Sequence, residues 1–246
     1  MNFSNLQEIK TQDLVSQYYE EKRYALSYSR AYHQWWSRKM LSFVQPKGRI
    51  LDDGCGTGHF SEFLKGLDVT GLDISARMLG YARKRYQKVI QGDAQNLPFT
   101  NDYFDLVLAK GLLHHLPNPQ RGVTEICRVL KKGGEVVFSD TLNSVLTSLP
   151  RRILKRSKHF SQEHKNFKRS ETIKIINSKL SIEKVYYFGY LAYPLLGFPD
   201  IINIYKYFPA KKIITPLLIK IDELISKIPL LNRQAFGIII LARKNN

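Results

Sequence analysis

The sequence is poor in cysteine and has no long apolar run. Its 246 residues include two cysteines, Cys55 and Cys127, which excludes a disulfide framework and offers no metal-ligand spacing. No apolar stretch approaches the roughly 20 residues that a membrane-spanning helix requires. The opening segment MNFSNLQEIKTQ is too polar for a signal peptide. We therefore expect a cytoplasmic protein without a metal site.

Acidic residues are scarce in the second half of the chain. Residues 1–140 contain 19 basic and 15 acidic side chains, whereas residues 141–246 contain 19 basic and only 6 acidic ones. This asymmetry favours an anionic partner, which could be a nucleic acid, an anionic membrane surface or a phosphate-bearing substrate. The alternative is a basic surface that serves only solubility.

Short apolar segments alternate with helical patterns along the chain. Strands are predicted at 49–52, 68–72, 89–91, 104–109, 135–139, 182–188 and 236–242. Helices are predicted within 6–44 and at 60–65, 76–85, 120–130 and 171–179. The alternation predicts an α/β protein with a parallel sheet and right-handed crossovers.

A glycine turn follows the first predicted strand. Gly54, Gly56 and Gly58 lie within the string ILDDGCGTG, where absent side chains allow a ligand to approach backbone N–H groups at the start of a helix. Asp73 ends the next strand, where a carboxylate can accept hydrogen bonds from ribose hydroxyls. The spacing G-x-G-x-G, with Asp52 two residues before the first glycine, differs from the dinucleotide pattern G-x-G-x-x-G.

These strings resemble the class I S-adenosylmethionine-dependent methyltransferases, especially the group that acts on small molecules and lipids. ILDDGCGTG, GLDIS, QGDAQNLPF, FDLVLAKGLLHHL and LKKGGEVVFSD resemble five consecutive motifs of that family. Two residues depart from the family pattern. Asp53 replaces an apolar residue and is expected to face the turn, and Lys110 replaces a small or polar one.

The resemblance implies a Rossmann-like sheet of seven strands, mostly parallel with the last antiparallel, and S-adenosyl-L-methionine as cofactor. It assigns Gly54, Gly56 and Gly58 to the methionine part and Asp52 to its ammonium group. Asp73 would bind the ribose, beside Ile74. Asp93 would accept from the adenine amino group beside Ala94, and Lys110 would contribute mainly its backbone carbonyl.

We expect one methyltransferase domain over residues 1–246. It would comprise an N-terminal helical cap at 1–46, a cofactor-binding core at 47–140, and a basic C-terminal part at 141–246 with an apolar helical insert at about 190–232. The charged segment at 150–169 is either a linker or a basic helix. In the insert, AKKIITPLLIKIDELISKI has apolar residues at helical spacing among lysines, which suits either packing on the sheet or an anionic membrane interface.

The expected activity is methyl transfer to a small or lipid-like acceptor, with possible peripheral contact with a membrane. His115, rather than His114, is the candidate general base, although a histidine at a strand end can also serve only packing or capping. RNA methylation by the basic half is the second choice. A non-catalytic S-adenosylmethionine-binding protein or a redox enzyme is a third, and the sequence does not indicate an oligomeric state.

Overall fold

The computed structural model describes residues 3–143, 167–199 and 203–245. Its strands are β1 (Arg49–Asp53), β2 (Asp68–Asp73), β3 (Lys88–Gln91), β4 (Phe104–Lys110), β5 (Leu130–Thr141), β6 (Ser181–Phe188) and β7 (Gly237–Arg243). Its α-helices are α1 (Phe3–Tyr18), α2 (Ser27–Leu41), α3 (Ala76–Ala82), α4 (Pro119–Val129), α5 (Arg169–Asn177) and α6 (Lys211–Ile225). The segment predicted at 150–169 lies almost entirely outside the described residues.

The seven strands form one sheet in the order β3-β2-β1-β4-β5-β7-β6. β1 pairs in parallel with β2 and β4, β2 with β3, and β4 with β5. β7 lies antiparallel between β5 and β6. The predicted Rossmann-like sheet with an antiparallel last strand is therefore confirmed, whereas the single-domain boundaries remain a prediction.

Helices cover both faces of the sheet, so the central strands are buried on both sides. Ile50 and Leu51 are neighbours in β1 and both are fully buried, but they belong to different core clusters on opposite faces. One cluster includes Ile126 of α4 and the other includes Trp36 of α2. Continuous apolar strands are typical of parallel sheets covered on two faces.

The helix predicted at 60–65 is wrong in type and length. The chain instead forms a 3-10 turn, His59–Phe63, preceded by Gly58 at φ 86° and with no side-chain cap at its start. Gly66 follows at φ 81°. Both glycines adopt the left-handed conformation, which ends regular right-handed helix, so the segment between them is too short for a stable α-helix.

The region between β6 and β7 contains α6 and shorter helical turns at Tyr193–Gly197, Ile204–Tyr207 and Pro229–Gln234. Asp222 on α6 is buried and fastens the helix to the chain after β6. Its carboxylate accepts hydrogen bonds from the backbone N–H groups of Tyr190, Leu191 and Ala192 at 3.0, 2.7 and 3.2 Å.

We expect Asp222→Ala to lower the free energy of unfolding by about 2–4 kcal/mol, because it leaves buried N–H donors without acceptors. Urea denaturation followed by circular dichroism measures the change. Lys220→Ala, on an exposed position of the same helix, is the matched control and should change stability by less than about 0.5 kcal/mol. Equal effects of the two substitutions would contradict this role of Asp222.

Candidate active site

A cavity opens at the carboxyl ends of β1, β2 and β4, the edge at which ligands bind in open α/β sheets. Backbone and side chains from the loops that follow these strands line most of its wall. The N-terminal segment contributes Glu8, Gln12 and Tyr19. The cavity therefore lies between the sheet edge and α1 with its following turn.

The glycine turn after β1 forms one end of this cavity. Gly54 and Gly56 line it and adopt positive φ angles of 75° and 55°. A Cβ on Gly54 would lie 3.0 Å from Leu112 Cδ1, and one on Gly58 would lie 3.0 Å from the Cα of Ala82. The turn thus needs glycine both for its backbone conformation and for its close approach to neighbouring elements.

Asp73 ends β2 and is buried at the cavity wall. One carboxylate oxygen accepts from the Gly56 N–H at 2.8 Å and the other accepts from the Ser75 N–H at 2.9 Å. Burial raises the pKa of Asp73, although these two bonds act in the opposite direction. Each oxygen keeps lone-pair capacity for a hydroxyl donor, and the carboxylate also holds the glycine turn in place.

The two neighbouring aspartates at the end of β1 have different environments. Asp52 is not part of the cavity wall, and its carboxylate accepts from the Tyr86 hydroxyl at 2.6 Å. Burial raises the pKa of Asp52 to about 6. Asp53 lines the cavity, is fully buried, and among the described residues its carboxylate oxygens have no hydrogen-bond partner. Burial, followed by the charges of nearby aspartates, raises the pKa of Asp53 well above its usual range.

The opposite end of the cavity contains the chain after β2 and β3. Ile74, Asp93 and Ala94, which the family resemblance assigns to the cofactor, all line the cavity. Asp93 Oδ1 accepts from the backbone N–H of Gln95 at 2.8 Å, which fixes the turn. The structure thus brings these three residues together with Gly54, Gly56, Asp73 and Lys110. Asp52 and Gly58 do not line the cavity.

The two consecutive histidines after β4 point to different partners. His115 lines the cavity, and its Nδ1 lies 2.9 Å from Glu8 Oε1. Burial alone would raise the pKa of Glu8, but the hydrogen bond with His115 and its charge lower it. His114 is buried and bonds to the carboxylate of Asp140. Sequence reasoning missed Glu8 and Asp140, because nothing in the chain marks such distant partners.

A polar cluster fastens the N-terminal segment to the glycine turn. Glu20, in the π-helical turn Tyr19–Tyr24, lies 2.8 Å from His59 Nε2 and 2.9 Å from Arg85 Nη2. Burial acts to raise the pKa of Glu20, but hydrogen bonds from His59, Thr57 and Arg85 outweigh it and hold the pKa at about 2. The ionised carboxylate therefore stabilises the packing of this segment against the chain after β1.

Because the pKa of Glu20 is lower in the folded protein, its stabilising effect is present above about pH 4.5 and is lost as the pH falls towards about 2. We expect the protection factors of residues 3–24, that is, exchange relative to the intrinsic rate at each pH, to fall over that range before the sheet unfolds. Glu20→Gln should show fast exchange already at pH 7. Identical exchange of the variant and the native protein at pH 7 would contradict the prediction.

Lys110 ends β4 and lines the cavity. Its ammonium group reaches beneath α2, where Nζ lies 3.0 Å from Ser37 Oγ. The family resemblance implied mainly a backbone role for Lys110. Its side-chain contact with α2 has no local signal, because α2 is distant in the chain.

The residues of the cavity fit a nucleoside that carries a polar tail. The glycine turn provides a side-chain-free surface, Asp73 provides acceptors for hydroxyl groups, and Asp53 provides buried oxygens without a protein partner. Apolar contacts come from Leu72, Ile74, Met78, Leu112 and Leu116. Within the described ranges, no group of three or more His, Cys, Asp or Glu side chains could hold a metal ion.

Residues 51–138 match the family model described as a methyltransferase domain. The chain is 34% identical over 105 residues to malonyl-[acyl-carrier protein] O-methyltransferase of Pectobacterium atrosepticum, covering 41% of this chain and 42% of that protein. It is 37% identical over 111 residues to phosphatidylethanolamine N-methyltransferase of Cereibacter sphaeroides, covering 41% of this chain and 55% of that protein. The matched region thus spans about half the length of these relatives.

The whole fold is similar to a crystal structure of a SAM-dependent methyltransferase from Thermotoga maritima. The TM-score is 0.67 at 21% sequence identity, and the likeness covers 97% of this chain and 100% of that one. At this identity the comparison establishes a shared fold, including the elements outside residues 51–138.

Proposed function

We propose that the protein transfers a methyl group from S-adenosyl-L-methionine to a small or lipid-like acceptor, because residues 51–138 match the model of a methyltransferase domain. The single observation that carries this proposal is the cavity in which the glycine turn and Asp73 meet at the carboxyl ends of β1 and β2. When bound, S-adenosyl-L-methionine supplies a methyl group on a sulfonium sulfur, and this sulfur is the leaving group when the acceptor atom attacks the methyl carbon in line.

In this proposal the chain binds and orients the cofactor with few charged groups. The glycine turn receives the methionine part, Asp73 holds the ribose hydroxyls, and Asp93 accepts from the adenine amino group. Ile74 and Ala94 contact the nucleoside. The ammonium contact of Asp52 and the catalytic role of His115 remain predictions.

Glu8, Gln12 and Tyr19 close the cavity from the N-terminal side. Their place in the wall supports a role in excluding water, because displacement at carbon requires an aligned nucleophile and no competing solvent. The contact between Glu8 and His115 and the cluster around Glu20 would hold this segment over the bound cofactor.

The surface of α6 supports a lipid-like acceptor that is taken from an anionic membrane. Ile213, Leu217 and Leu224 are 71%, 52% and 54% exposed on this helix, and Ile228 and Leu230 just beyond it are 48% and 79% exposed. Basic residues are distributed along the same region at Lys211, Lys212, Lys220 and Lys227. An apolar face bordered by lysines suits peripheral membrane binding.

No helix among the described residues is long and apolar enough to cross a membrane. We therefore propose contact from the membrane surface rather than insertion, with the protein on the cytoplasmic side. One of the matched relatives carries the name of a lipid, phosphatidylethanolamine, which supports this acceptor class.

RNA is the second candidate acceptor, because residues 141–246 carry 19 basic and only 6 acidic side chains. A phosphate backbone requires clustered basic groups, whereas on α6 the lysines alternate with exposed apolar side chains. This arrangement favours the membrane over RNA.

The proposal is tested by isothermal titration of the purified protein with S-adenosyl-L-methionine, S-adenosylhomocysteine and NAD. We expect binding of the first two and none of NAD. The protein is then incubated with labelled S-adenosyl-L-methionine and either a lipid extract or total RNA. Label in the lipid fraction supports the proposal, label in RNA supports the second candidate, and binding of NAD alone would refute a methyltransferase.

A further inference from the structure

Lys110 has an unusual position for a lysine side chain. It lies two residues beyond Leu108, which is in register with Asp52 of the neighbouring strand β1. Lys110 is therefore level with Gly54, at the end of the cavity where the methionine part is proposed to bind. Lys110 is half-buried and contributes to the cavity wall.

Two aromatic rings and two hydrogen-bond partners lie close to the Lys110 amine among the described residues. Nζ lies 4.7 Å from the ring centre of Trp36 and 5.8 Å from that of Phe60. It donates to Ser37 Oγ at 3.0 Å and weakly to the backbone carbonyl of His33 at 3.4 Å. A neutral amine has two N–H groups and one lone pair, so these two contacts use its N–H groups and leave the lone pair to accept a proton.

The electrostatic surroundings favour the neutral amine. Within the described part of the chain, Lys110 has no ion-pair partner within 4.0 Å. Burial lowers the pKa of Lys110 to about 7; the charge of Asp52 acts to raise it and that of Arg23 to lower it further. Burial also lowers the pKa of His33 well below its usual range.

The remaining groups near Lys110 add no negative charge. His33 Nε2 lies 2.8 Å from the carbonyl of Gly197 and must donate to it, so Nδ1 is an unprotonated acceptor in the neutral ring. Burial raises the pKa of Tyr24, which stacks on His59 next to this region, so its hydroxyl stays neutral. Asp52 is thus the carboxylate whose charge acts on Lys110, and it accepts a hydrogen bond from the Tyr86 hydroxyl.

We propose that Lys110, rather than His115, whose Nδ1 contacts Glu8, is the general base of the reaction and that the acceptor is an acidic hydroxyl, such as a phenol or an enol. This inference rests on the proposed methyl transfer. The O–H proton passes to Lys110 Nζ, the hydroxyl oxygen forms a bond with the methyl carbon, and the S–CH3 bond breaks with its electron pair left on sulfur. The products are the methyl ether, S-adenosylhomocysteine and the Lys110 ammonium, which returns its proton to solvent.

The surroundings of Lys110 disfavour the other acceptor classes. A carboxylic acid is already ionised at neutral pH and needs no base, and an ion pair with Lys110 would reduce its nucleophilicity. An amine acceptor would enter as an ammonium and be repelled by the charge of the buried Arg23. A hydroxyl of moderate acidity is the group for which an amine with a pKa near 7 is matched as a base.

The test uses 4-nitrophenol as a chromogenic probe, since only its phenolate absorbs strongly in the visible range. It is titrated from pH 5 to pH 9 with the protein saturated with S-adenosylhomocysteine. In the native protein we expect the pKa of bound 4-nitrophenol to fall by about one unit, which is a tenfold change in its ionisation constant. Lys110→Met and Lys110→Gln should abolish that shift, whereas Lys88→Met, an exposed surface lysine, should leave it unchanged.

The same variants are assayed for binding of S-adenosylhomocysteine by titration and for methyl transfer to 4-octylphenol, octylamine and octanoate. We expect Lys110→Met and Lys110→Gln to bind S-adenosylhomocysteine within about threefold of the native protein, because the proposed role concerns the acceptor. Transfer to 4-octylphenol should rise as the pH passes through about 7 and fall at least about a hundredfold in both variants, an effect at the lower end of that seen for general bases.

The outcomes separate this inference from the proposed function. If the native protein does not bind S-adenosylhomocysteine, the proposed function itself fails. If it binds but shifts the ionisation of 4-nitrophenol no more than the Lys110 variants do, only the role of Lys110 is refuted. Loss of S-adenosylhomocysteine binding in a folded Lys110 variant would place this lysine in the cofactor site instead, and preferential methylation of octylamine or octanoate would refute the hydroxyl acceptor.

Discussion

Replacing Asp73 with alanine is expected to weaken the binding of S-adenosylhomocysteine by about 100-fold to 1000-fold. The substitution removes the acceptors proposed for the ribose hydroxyls, and hydrogen bonds to a charged group contribute roughly 1.5–3 kcal/mol each. A loss of about 1.4 kcal/mol corresponds to a tenfold change in affinity. Isothermal titration measures the effect directly.

Asp73 also holds the Gly56 and Ser75 N–H groups, so part of the loss would come from a displaced glycine turn. Asp73→Asn keeps one carbonyl acceptor but loses the charge and turns its NH2 group towards one of these N–H donors, so we expect a smaller loss of affinity than in Asp73→Ala. Asp68→Ala is the matched control, since Asp68 begins the same strand and, among the described residues, its carboxylate bonds to the exposed Lys88. Unchanged affinity in Asp73→Ala would contradict the proposed cofactor site.

Replacing Ile213, Leu217 and Leu224 together with aspartate is expected to reduce binding to anionic vesicles by about 100-fold or more. Full burial of one such side chain contributes roughly 1.5–3 kcal/mol, so even partial insertion of three accounts for this loss. The added negative charges also oppose attraction to anionic lipids. Flotation with vesicles of phosphatidylcholine and phosphatidylglycerol at low salt measures the bound fraction.

Two comparisons make this result specific. Leu67→Asp changes an exposed apolar residue between the first glycine turn and β2, away from α6, and should leave flotation unchanged. Vesicles of phosphatidylcholine alone should bind the native protein weakly, because they contain no anionic lipid for the lysines around α6 to attract. If the native protein does not float with anionic vesicles, the membrane part of the proposal is wrong, and methyl transfer must be tested on soluble acceptors.

The sheet and one side of the cavity could be predicted because their signals are local. Gly54 and Asp73 belong to consecutive βα units, and strands that are adjacent in the chain and parallel bring their carboxyl ends to one edge. The family resemblance added roles for Asp93 and Ala94 on the same basis. The apolar stretch of β4 likewise indicated burial on both faces, and the structure confirms it.

Local patterns failed where the environment of a side chain depends on distant residues. The residues 60–65 have helical composition, yet the left-handed glycines on either side leave only a 3-10 turn. The neighbours Asp52 and Asp53 differ by which face of β1 they occupy, and this places Asp53 rather than Asp52 in the cavity wall. Alternation along a strand gives opposite faces, but the sequence does not mark which face borders the cavity.

The sequence by itself determined the α/β architecture, the glycine turn and the acidic residues at the strand ends, because each depends on short-range backbone preferences and on the order of the elements. Only the tertiary structure decided the partners of the charged groups: Glu8 with His115, Glu20 with Arg85, and Lys110 beneath the aromatic face of α2. These contacts join segments 65 to 107 residues apart. Their effect on pKa comes from burial and from electric fields that arise only when the N-terminal helices pack on the sheet.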